Sequence, residues 1–429
     1  MRVYLEATGC RLNQSEIETL ARQFQQGGHQ VVLSAEEADL CVVNTCAVTS
    51  DAARTSRNLL RKLNRSNPTA EIVATGCYAH LSPQVVGVLP GVRQIVDNLE
   101  KDRLVPLVLK SAVPEVFDHE PVERDQWVGV SGRTRAFIKV QDGCDNRCTF
   151  CVTTMARGAG RSRPADEVVR EIQMMSAAGY QEAVLTGVHL GSYGHDQGEY
   201  DGLRRLISQI LDRTNIPRLR LSSLEPWDLA PEFFRLWENP RLCRHLHLPL
   251  QSGCDATLRR MARRTSQTAF GALVESARAQ ISDLAISTDL IVGFPGETEA
   301  EFEDSLTFVR NMTFMKLHVF RYSRREGTAA ARMKGQVPEE IKKERSARLL
   351  ALSDEGAQVF YARFAGREMD VLWEHIAGAT PEGYYNSGLT DNFIRVEMTA
   401  PSVLTNSITR VWMSDITARG LSGEWSASQ

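Results

Sequence analysis

A chain of 429 residues with a formal net charge of −3 has room for two to four domains, and any nucleic-acid surface on it must be a local patch rather than a global excess of positive charge. Its 42% hydrophobic and 24% charged residues are those of a globular protein. No apolar run approaches the roughly 18–20 residues of a membrane span, and the opening MRVYLEATGCRLNQ lacks the apolar region of a secretory signal. Nine cysteines without such a signal point to a reducing, cytoplasmic setting, where thiolates serve metals or catalysis more often than disulfides.

Taken in chain order, residues 1–110 alternate strand and helix. RVYLEA runs into the helical QSEIETLARQFQQGG; HQVVL, ADLCVVNT, a helix over Ala52–Leu63, AEIVATG and RQIVD follow. This pattern predicts a small α/β domain with a parallel sheet. Residues 111–132, rich in proline and charge and without period, read as a linker. From 133 to 360 a second alternation begins. The strands AFIKVQ, EAVLTG, RLRLSSL, RHLHLPLQ, AISTDLIVGF and KLHVFRYS are separated by helical segments such as ADEVVREIQMMSAAG and EAEFEDSLTFVRNM. They predict a partial TIM-like (β/α)6 barrel. A basic helical stretch, EEIKKERSARLLALSDEGAQVFYARF, leads into the β-rich, turn-rich residues 361–429, which read as a small β-barrel.

Chemistry concentrates in two sets of cysteines. DGCDNRCTFC puts Cys144, Cys148 and Cys151 directly after the strand AFIKVQ, and in parallel α/β folds ligands gather at the carboxyl ends of strands. Three thiolates can hold three irons of a four-iron, four-sulfur cluster and leave the fourth open. The alternative is a zinc with a distant fourth ligand such as His189 or His245, although C-x3-C-x2-C is not a usual zinc-finger spacing. Cys10, Cys46 and Cys77 each follow a predicted strand of the first domain, so a parallel sheet would bring them to one edge. Cys41 falls inside its strand and reads as buried, as does Cys254. His245 and His247 alternate on one strand, facing either the barrel interior or the core.

The C-x3-C-x2-C spacing on βα units resembles the radical S-adenosylmethionine superfamily. The resemblance implies that S-adenosylmethionine chelates the open iron and is reductively cleaved to a 5′-deoxyadenosyl radical. It further implies cofactor contacts at Phe150, at Thr186 and Gly187 in LTG, at Ser223 and Glu225 in SSLEP, and at Gly293 in DLIVGFPGET. ATGCRLNQSEIE, VVNTCAVTS and VATGCYAH are similar to the three cysteine motifs of the methylthiotransferases, and VLTGVHLGSYG, LHLPLQSGCDATLRRM and HVFRYSRREGTAAARM follow in that family's order. That family uses two [4Fe-4S] clusters and two molecules of S-adenosylmethionine. The small final barrel stands where it carries a TRAM domain. GCRLNQSEIE and LTGVHLGSYG look most like the type acting on N6-threonylcarbamoyladenosine beside the tRNA anticodon. The isopentenyladenosine type reads more like GCQMN, and the type acting on a ribosomal-protein aspartate more like GCPKN. The expected reaction is methylthiolation at the adenine C2, with a flavodoxin or ferredoxin as electron donor and a separate sulfur source. The rival of another class is a non-catalytic iron–sulfur RNA-binding protein acting as a redox sensor.

Basic residues cluster locally. Arg54, Arg57, Arg61, Lys62 and Arg65 share one helix; Arg157, Arg161 and Arg163 follow the radical cysteines; Arg259, Arg260, Arg263 and Arg264 end another helix, and Arg321, Arg324 and Arg325 follow the sixth strand. Phosphate contacts from such residues give affinity without reading sequence. Arg57 and Arg61 are the expected RNA contacts, and Arg157, Arg161 and Arg163 the candidate partners of a substrate carboxylate. Residues 361–429 hold five arginines, no lysine and eight acidic residues, so RNA binding there would rest on aromatics such as Tyr384, Tyr385 and Phe393.

Overall fold

The structure, a computed structural model, describes residues 1–110, 134–381 and 383–425. The expected linker at 111–132 lies outside the described residues. The chain opens on β1 (Arg2–Ala7), β2 (Gln30–Val31), β3 (Leu40–Thr45), β4 (Glu71–Thr75) and β5 (Val92–Ile95), a parallel sheet in the order β2-β1-β3-β4-β5. Every residue of β3 is buried, as a central strand covered on both faces requires. Alternation sends Val42 and Leu40 toward Leu20 and Phe24 of the helix Arg11–Gln26, and Cys41 and Val43 toward Leu60 and Leu63 of the helix Ser50–Ser66. All these strands run one way, so their carboxyl ends form a single edge.

The central domain holds β6 (Arg135–Lys139), a short antiparallel pair of β7 (Gln141–Asp142) and β8 (Arg161–Ser162), then β9 (Glu182–Thr186), β10 (Arg218–Leu221), β11 (His245–His247), β12 (Ala285–Val292) and β13 (Lys316–Arg321). The parallel sets β6-β9-β10 and β11-β12-β13 are joined by bridges Leu219–Leu242 and Ser223–His247, so six strands make one arc. Leu219, Leu221, Leu246 and Ile286 face outward into the main apolar core beneath the helices. The alternate residues face inward, and they are polar: Glu182, Arg220, His245 and Ser287, all buried.

Among the described residues β6 and β13 are the unpaired edges of this arc, and the first domain lies across the seam between them. On one flank Ser15, in the helix Arg11–Gln26, donates from Oγ to the Phe137 carbonyl of β6 at 2.8 Å. On the other, Ser50 Oγ meets Ser323 Oγ at 2.6 Å, and Arg325 donates to the Ala47 carbonyl.

The helix Glu339–Ala362 leads to β14 (Glu368–Thr380), β15 (Gly383–Thr390), β16 (Arg395–Ala400), β17 (Ile408–Ile416) and β18 (Leu421–Trp425), which close into a barrel in the order β14-β15-β16-β18-β17. This barrel plugs the amino-terminal end of the central arc. Arg218 donates to the carbonyls of Leu389 and Asp370, Arg220 to those of Thr390 and Asp391, and Arg244 forms a bidentate pair with Asp391. Phe393, expected at an RNA surface, instead stacks on His245 with ring centroids 4.5 Å apart and planes at 17°. It belongs to a plug loop, and its φ of 69° is an αL conformation that a bulky residue adopts only when its surroundings hold it. Tyr384 is 40% exposed, whereas the Tyr385 hydroxyl is tied to Glu397 at 2.6 Å.

Candidate active site

Cys10 caps the helix Arg11–Gln26 after β1, Cys46 follows β3, and Cys77 lies in the short helix Gly76–Leu81 after β4. Three adjacent strand ends therefore bring these cysteines together. The approach depends on Gly9, at φ +92°, where a Cβ would collide with Cys46 Sγ. Cys46 is fixed by its own amide, which donates to Thr8 Oγ1 and Ser56 Oγ, each at 3.0 Å. Cys10 remains exposed, while Cys46 and Cys77 are buried.

Cys144, Cys148 and Cys151 occupy a loop beyond β7 that folds back on itself. The Cys144 amide donates to the Gly158 carbonyl at 3.0 Å and the Cys151 amide to the Cys148 carbonyl at 3.1 Å. Gly143, at φ +73°, has no room for a Cβ because the Ala159 carbonyl occupies that space. The Thr153 amide points at Cys151 Sγ at 3.4 Å, and Arg263 stands 3.8 Å from Cys148 Sγ. Arg263 is itself gripped by Glu225 at 2.6 and 3.1 Å and lies over the Trp227 ring at 4.5 Å.

These surroundings suit a cluster bound by thiolates. Burial pushes the Cys46 and Cys148 thiols up to about 11, so each stays neutral unless a cation binds it directly. Among the described residues no three His, Cys, Asp or Glu side chains converge on one point as a single ion demands. A four-iron cluster spreads its metals over a cube and takes thiolates set farther apart. Amide and guanidinium donors beside the sulfurs are the groups that tune such clusters. His189, the candidate fourth zinc ligand, stands beside Cys144 with its Nε2 bonded to Asp228 at 2.5 Å. Burial lowers its pKa, but Asp228 and Cys144 outweigh that and raise it to about 10. His245, the other candidate, lies far below in the lumen, bonded to Ser287 at 3.0 Å.

Arg157 stands between the two triples. It ends the helix Thr153–Arg157, which begins two residues after Cys151, and is 3% exposed. Its guanidinium reaches the helix that starts at Cys10, donating to Asn13 Oδ1 at 2.7 Å and Glu16 Oε1 at 2.8 Å, and it also holds Asp142 at 2.8 Å. Lys101 and Lys139 complete a buried network, with Lys101 Nζ 2.6 Å from Glu16. Burial works against the Glu16 carboxylate, yet Arg157, Lys101 and Lys139 together hold it well below the usual carboxylate range. The charge of Arg157 also acts on Cys10, Cys46 and Cys77.

The expected carboxylate partners need correction. Arg157 is spent on Glu16 and Asp142, and Arg163, 1% exposed, is spent on Glu171 at 2.7 Å and the Lys139 carbonyl at 2.8 Å. Arg161 is more open, 3.7 Å from Asp142. Of the expected RNA contacts, Arg61 is exposed, but Arg57 is half-buried and donates to the Tyr78 hydroxyl at 3.0 Å, next to Cys77. Of the expected cofactor contacts, Thr186 and Gly187 end β9 beside Gln141, and Phe150 packs edge-on against Phe294. Ser223 bridges to His247; Gly293, at φ +69°, faces Lys342, and its amide donates to Glu297 at 2.6 Å. Glu225 carries the Arg263 pair, so a ribose contact there competes with an existing ion pair.

The sequence reading missed Glu16, Asp142, Lys101 and Lys139, whose charges look like ordinary surface residues in the sequence. It also missed Arg11, which stands directly after Cys10 at the first position of a helix. A cation there opposes the helix dipole, and this was a signal available in the sequence.

Residues 2–96 match the family described as uncharacterized protein family UPF0004, and residues 138–309 match the radical SAM superfamily. Over 419 residues the chain is 35% identical to a Bacillus subtilis (strain 168) protein named threonylcarbamoyladenosine tRNA methylthiotransferase MtaB, covering 95% of this chain and 93% of the relative. The chain belongs to the radical S-adenosylmethionine methylthiotransferases. A Thermotoga maritima methylthiotransferase of the same name is 40% identical over 379 residues, covering 87% of this chain and 86% of its own. A Bacillus cereus (strain AH187) tRNA-2-methylthio-N(6)-dimethylallyladenosine synthase is 33% identical over 441 residues, covering 99% and 85%. The solved radical S-adenosylmethionine methyltransferase TsrM of Kitasatospora setae shares the fold, with a TM-score of 0.58 at 15% identity over 77% of each chain. As a methylthiotransferase the chain is an enzyme, and among its described residues no helix is long and apolar enough to cross a membrane.

Proposed function

We propose that this enzyme methylthiolates C2 of N6-threonylcarbamoyladenosine beside the tRNA anticodon, using two [4Fe-4S] clusters and two molecules of S-adenosylmethionine. The observation that carries the reading is the placement of two cysteine triples on either side of Arg157, in a chain similar along 95% of its length to a protein named for that reaction. When bound, the clusters supply electron transfer for cleavage of S-adenosylmethionine at Cys144, Cys148 and Cys151 and a sulfur-carrying site at Cys10, Cys46 and Cys77.

The chain's own residues do the rest. Arg157 and Glu16 lock the two loops together, which fixes the distance between hydrogen abstraction and sulfur delivery. Arg263, held by Glu225 and Trp227, keeps a positive charge at Cys148. The first domain across the β6–β13 seam and the plug below exclude water from the lumen, which protects a radical from side reactions. Exposed Arg54, Arg61, Lys62 and Arg65 offer phosphate contacts beside the Cys46 edge. A flavodoxin or ferredoxin would supply electrons, and a separate donor would renew the sulfur.

The division of labour is tested with Cys46→Ala. It should lose about half of the bound iron, because each cluster holds four. It should still cleave S-adenosylmethionine under reducing conditions, yet transfer no methylthio group. Anaerobic iron analysis with a 5′-deoxyadenosine assay reads both; full iron with full transfer would sink the auxiliary-site reading.

A further inference from the structure

Directly after Cys10 the chain turns away from the cysteines, and Arg11 extends into the lumen of the central barrel. Its guanidinium is half-buried and lies 5.8 Å from the centre of the Phe393 ring, the ring that plugs the lumen floor. Among the described residues no carboxylate pairs with it. The acidic groups nearby have other partners: Glu182 is bonded to Arg220 at 2.7 and 3.0 Å, Glu374 to Arg135 at 2.7 Å, Asp391 to Arg244 at 2.6 Å, and Asp289 to His247 at 3.2 Å. The walls of the lumen are polar. His247 bonds Ser287 at 2.9 Å and Asp289 at 3.2 Å, and His318 sets its ring 5.3 Å from that of His247. On β13, Leu317 and Val319 pack outward against the core, which puts His318 on the inner face. Buried His245 has an Nδ1 without a hydrogen-bond partner.

A half-buried, unpaired guanidinium is costly by itself, and one at the first position of a helix is doubly so. Such a group is stable where an anion completes it. The Arg11 backbone adjoins Cys10 at the proposed sulfur-carrying site while its side chain runs toward the Phe393 ring, so the residue spans from that site into the lumen. A substrate reaching that site thus places its polar arm beside Arg11.

We propose that Arg11 binds the carboxylate of the threonylcarbamoyl arm, and that His247, Asp289 and His318 line the pocket for its hydroxyl and urea groups. This rests on the nucleoside reading given above. An isopentenyl arm, wholly apolar, would leave Arg11 enclosed without a partner, so the same residue rejects the competing nucleoside. Arg157 and Arg163, buried and each already paired with a carboxylate, are not available for the task.

The test is binding rather than turnover. The reconstituted enzyme is titrated with three anticodon stem-loops that differ only in one adenosine: unmodified, threonylcarbamoylated, or threonylcarbamoylated with the carboxylate converted to a carboxamide. Wild type should bind the carboxylate form about 10- to 100-fold more tightly than the carboxamide form, the range of a charge-assisted hydrogen bond. Arg11→Gln should bind these two alike and keep the affinity of wild type for the unmodified loop; Arg11→Lys should recover part of the difference. The carboxamide arm uses unaltered protein, so a misfolded variant cannot mimic the result. If wild type ignores the carboxylate while still preferring both threonylcarbamoylated loops, the nucleoside reading stands and the Arg11 assignment is overturned. The assignment is also overturned if Arg11→Gln still discriminates as wild type does. If wild type binds all three alike, the nucleoside reading falls and the assignment with it.

Discussion

Arg157 shows how much of the site's geometry hangs on a single buried charge. It is held by two carboxylates and an amide from two domains, and those carboxylates are themselves enclosed. Removing one partner of a buried ionic network leaves the others uncompensated, which typically costs about 3–5 kcal/mol. Arg157→Ala should therefore lower the denaturation midpoint by a comparable free energy. Lys101 and Lys139 soften the loss on Glu16, so the low end of that range is expected. Arg157→Lys should recover only part of it, since an ammonium cannot span Asn13, Glu16 and Asp142 in one plane. A midpoint unchanged in Arg157→Ala would mean that the two loops are held by other contacts.

At the scale of elements, the cysteine loops depend on turns that admit no side chain. Gly143→Ala should drive the loop off the Ala159 carbonyl and remove the iron bound at Cys144, Cys148 and Cys151, while the iron at the other triple stays. Reductive cleavage of S-adenosylmethionine should vanish with it, the reverse of the Cys46→Ala pattern. Retained cleavage in Gly143→Ala would show that the loop tolerates the shift. The cysteines were legible in the sequence because strand periodicity places them at strand ends, whereas the tight turns at Gly9 and Gly143 show only in the folded chain. The strands of the first sheet and the six of the arc were legible for the same reason: runs such as LCVVNT and AISTDLIV are too apolar and β-branched to be surface loops. β18 was not legible, because LSGEW is short and broken by glycine, and only pairing with β16 and β17 makes it a strand. Nor was the fate of Phe393, whose polar, turn-rich surroundings read as surface until the plug closes over them. Arg157 and Arg163 read as free cations because their partners Glu16 and Glu171 lie on other elements, and ion pairing across elements leaves no trace in local sequence.

At the scale of the molecule, one barrel is closed by two other bodies, across its seam and at its floor. The floor depends on Arg220, fully buried, which grips Glu182 and the plug carbonyls. Burial would raise the pKa of Glu182, but Arg220, Arg135 and Arg218 outweigh it and bring it from 4.5 to about 2. A folded-state pKa held below the unfolded value gives stability that is complete above about pH 4.5 and fades as pH falls toward 2. Glu182→Gln should therefore be less stable than wild type at neutral pH, by about 3–5 kcal/mol for a broken buried pair. The gap should narrow as the pH drops through that window, and a gap constant with pH would contradict the assignment. In the proposed function both closures serve a single end, to hold one carbon of the substrate between the two cysteine triples. The measurement that bears on this most directly is single-turnover product formation by the reduced, reconstituted enzyme on two tRNAs that differ only in carrying N6-threonylcarbamoyladenosine or N6-isopentenyladenosine. Nucleoside mass spectrometry should find a methylthio group in place of one hydrogen on the threonylcarbamoylated nucleoside alone; equal modification of both tRNAs, or of the isopentenylated one only, would contradict it.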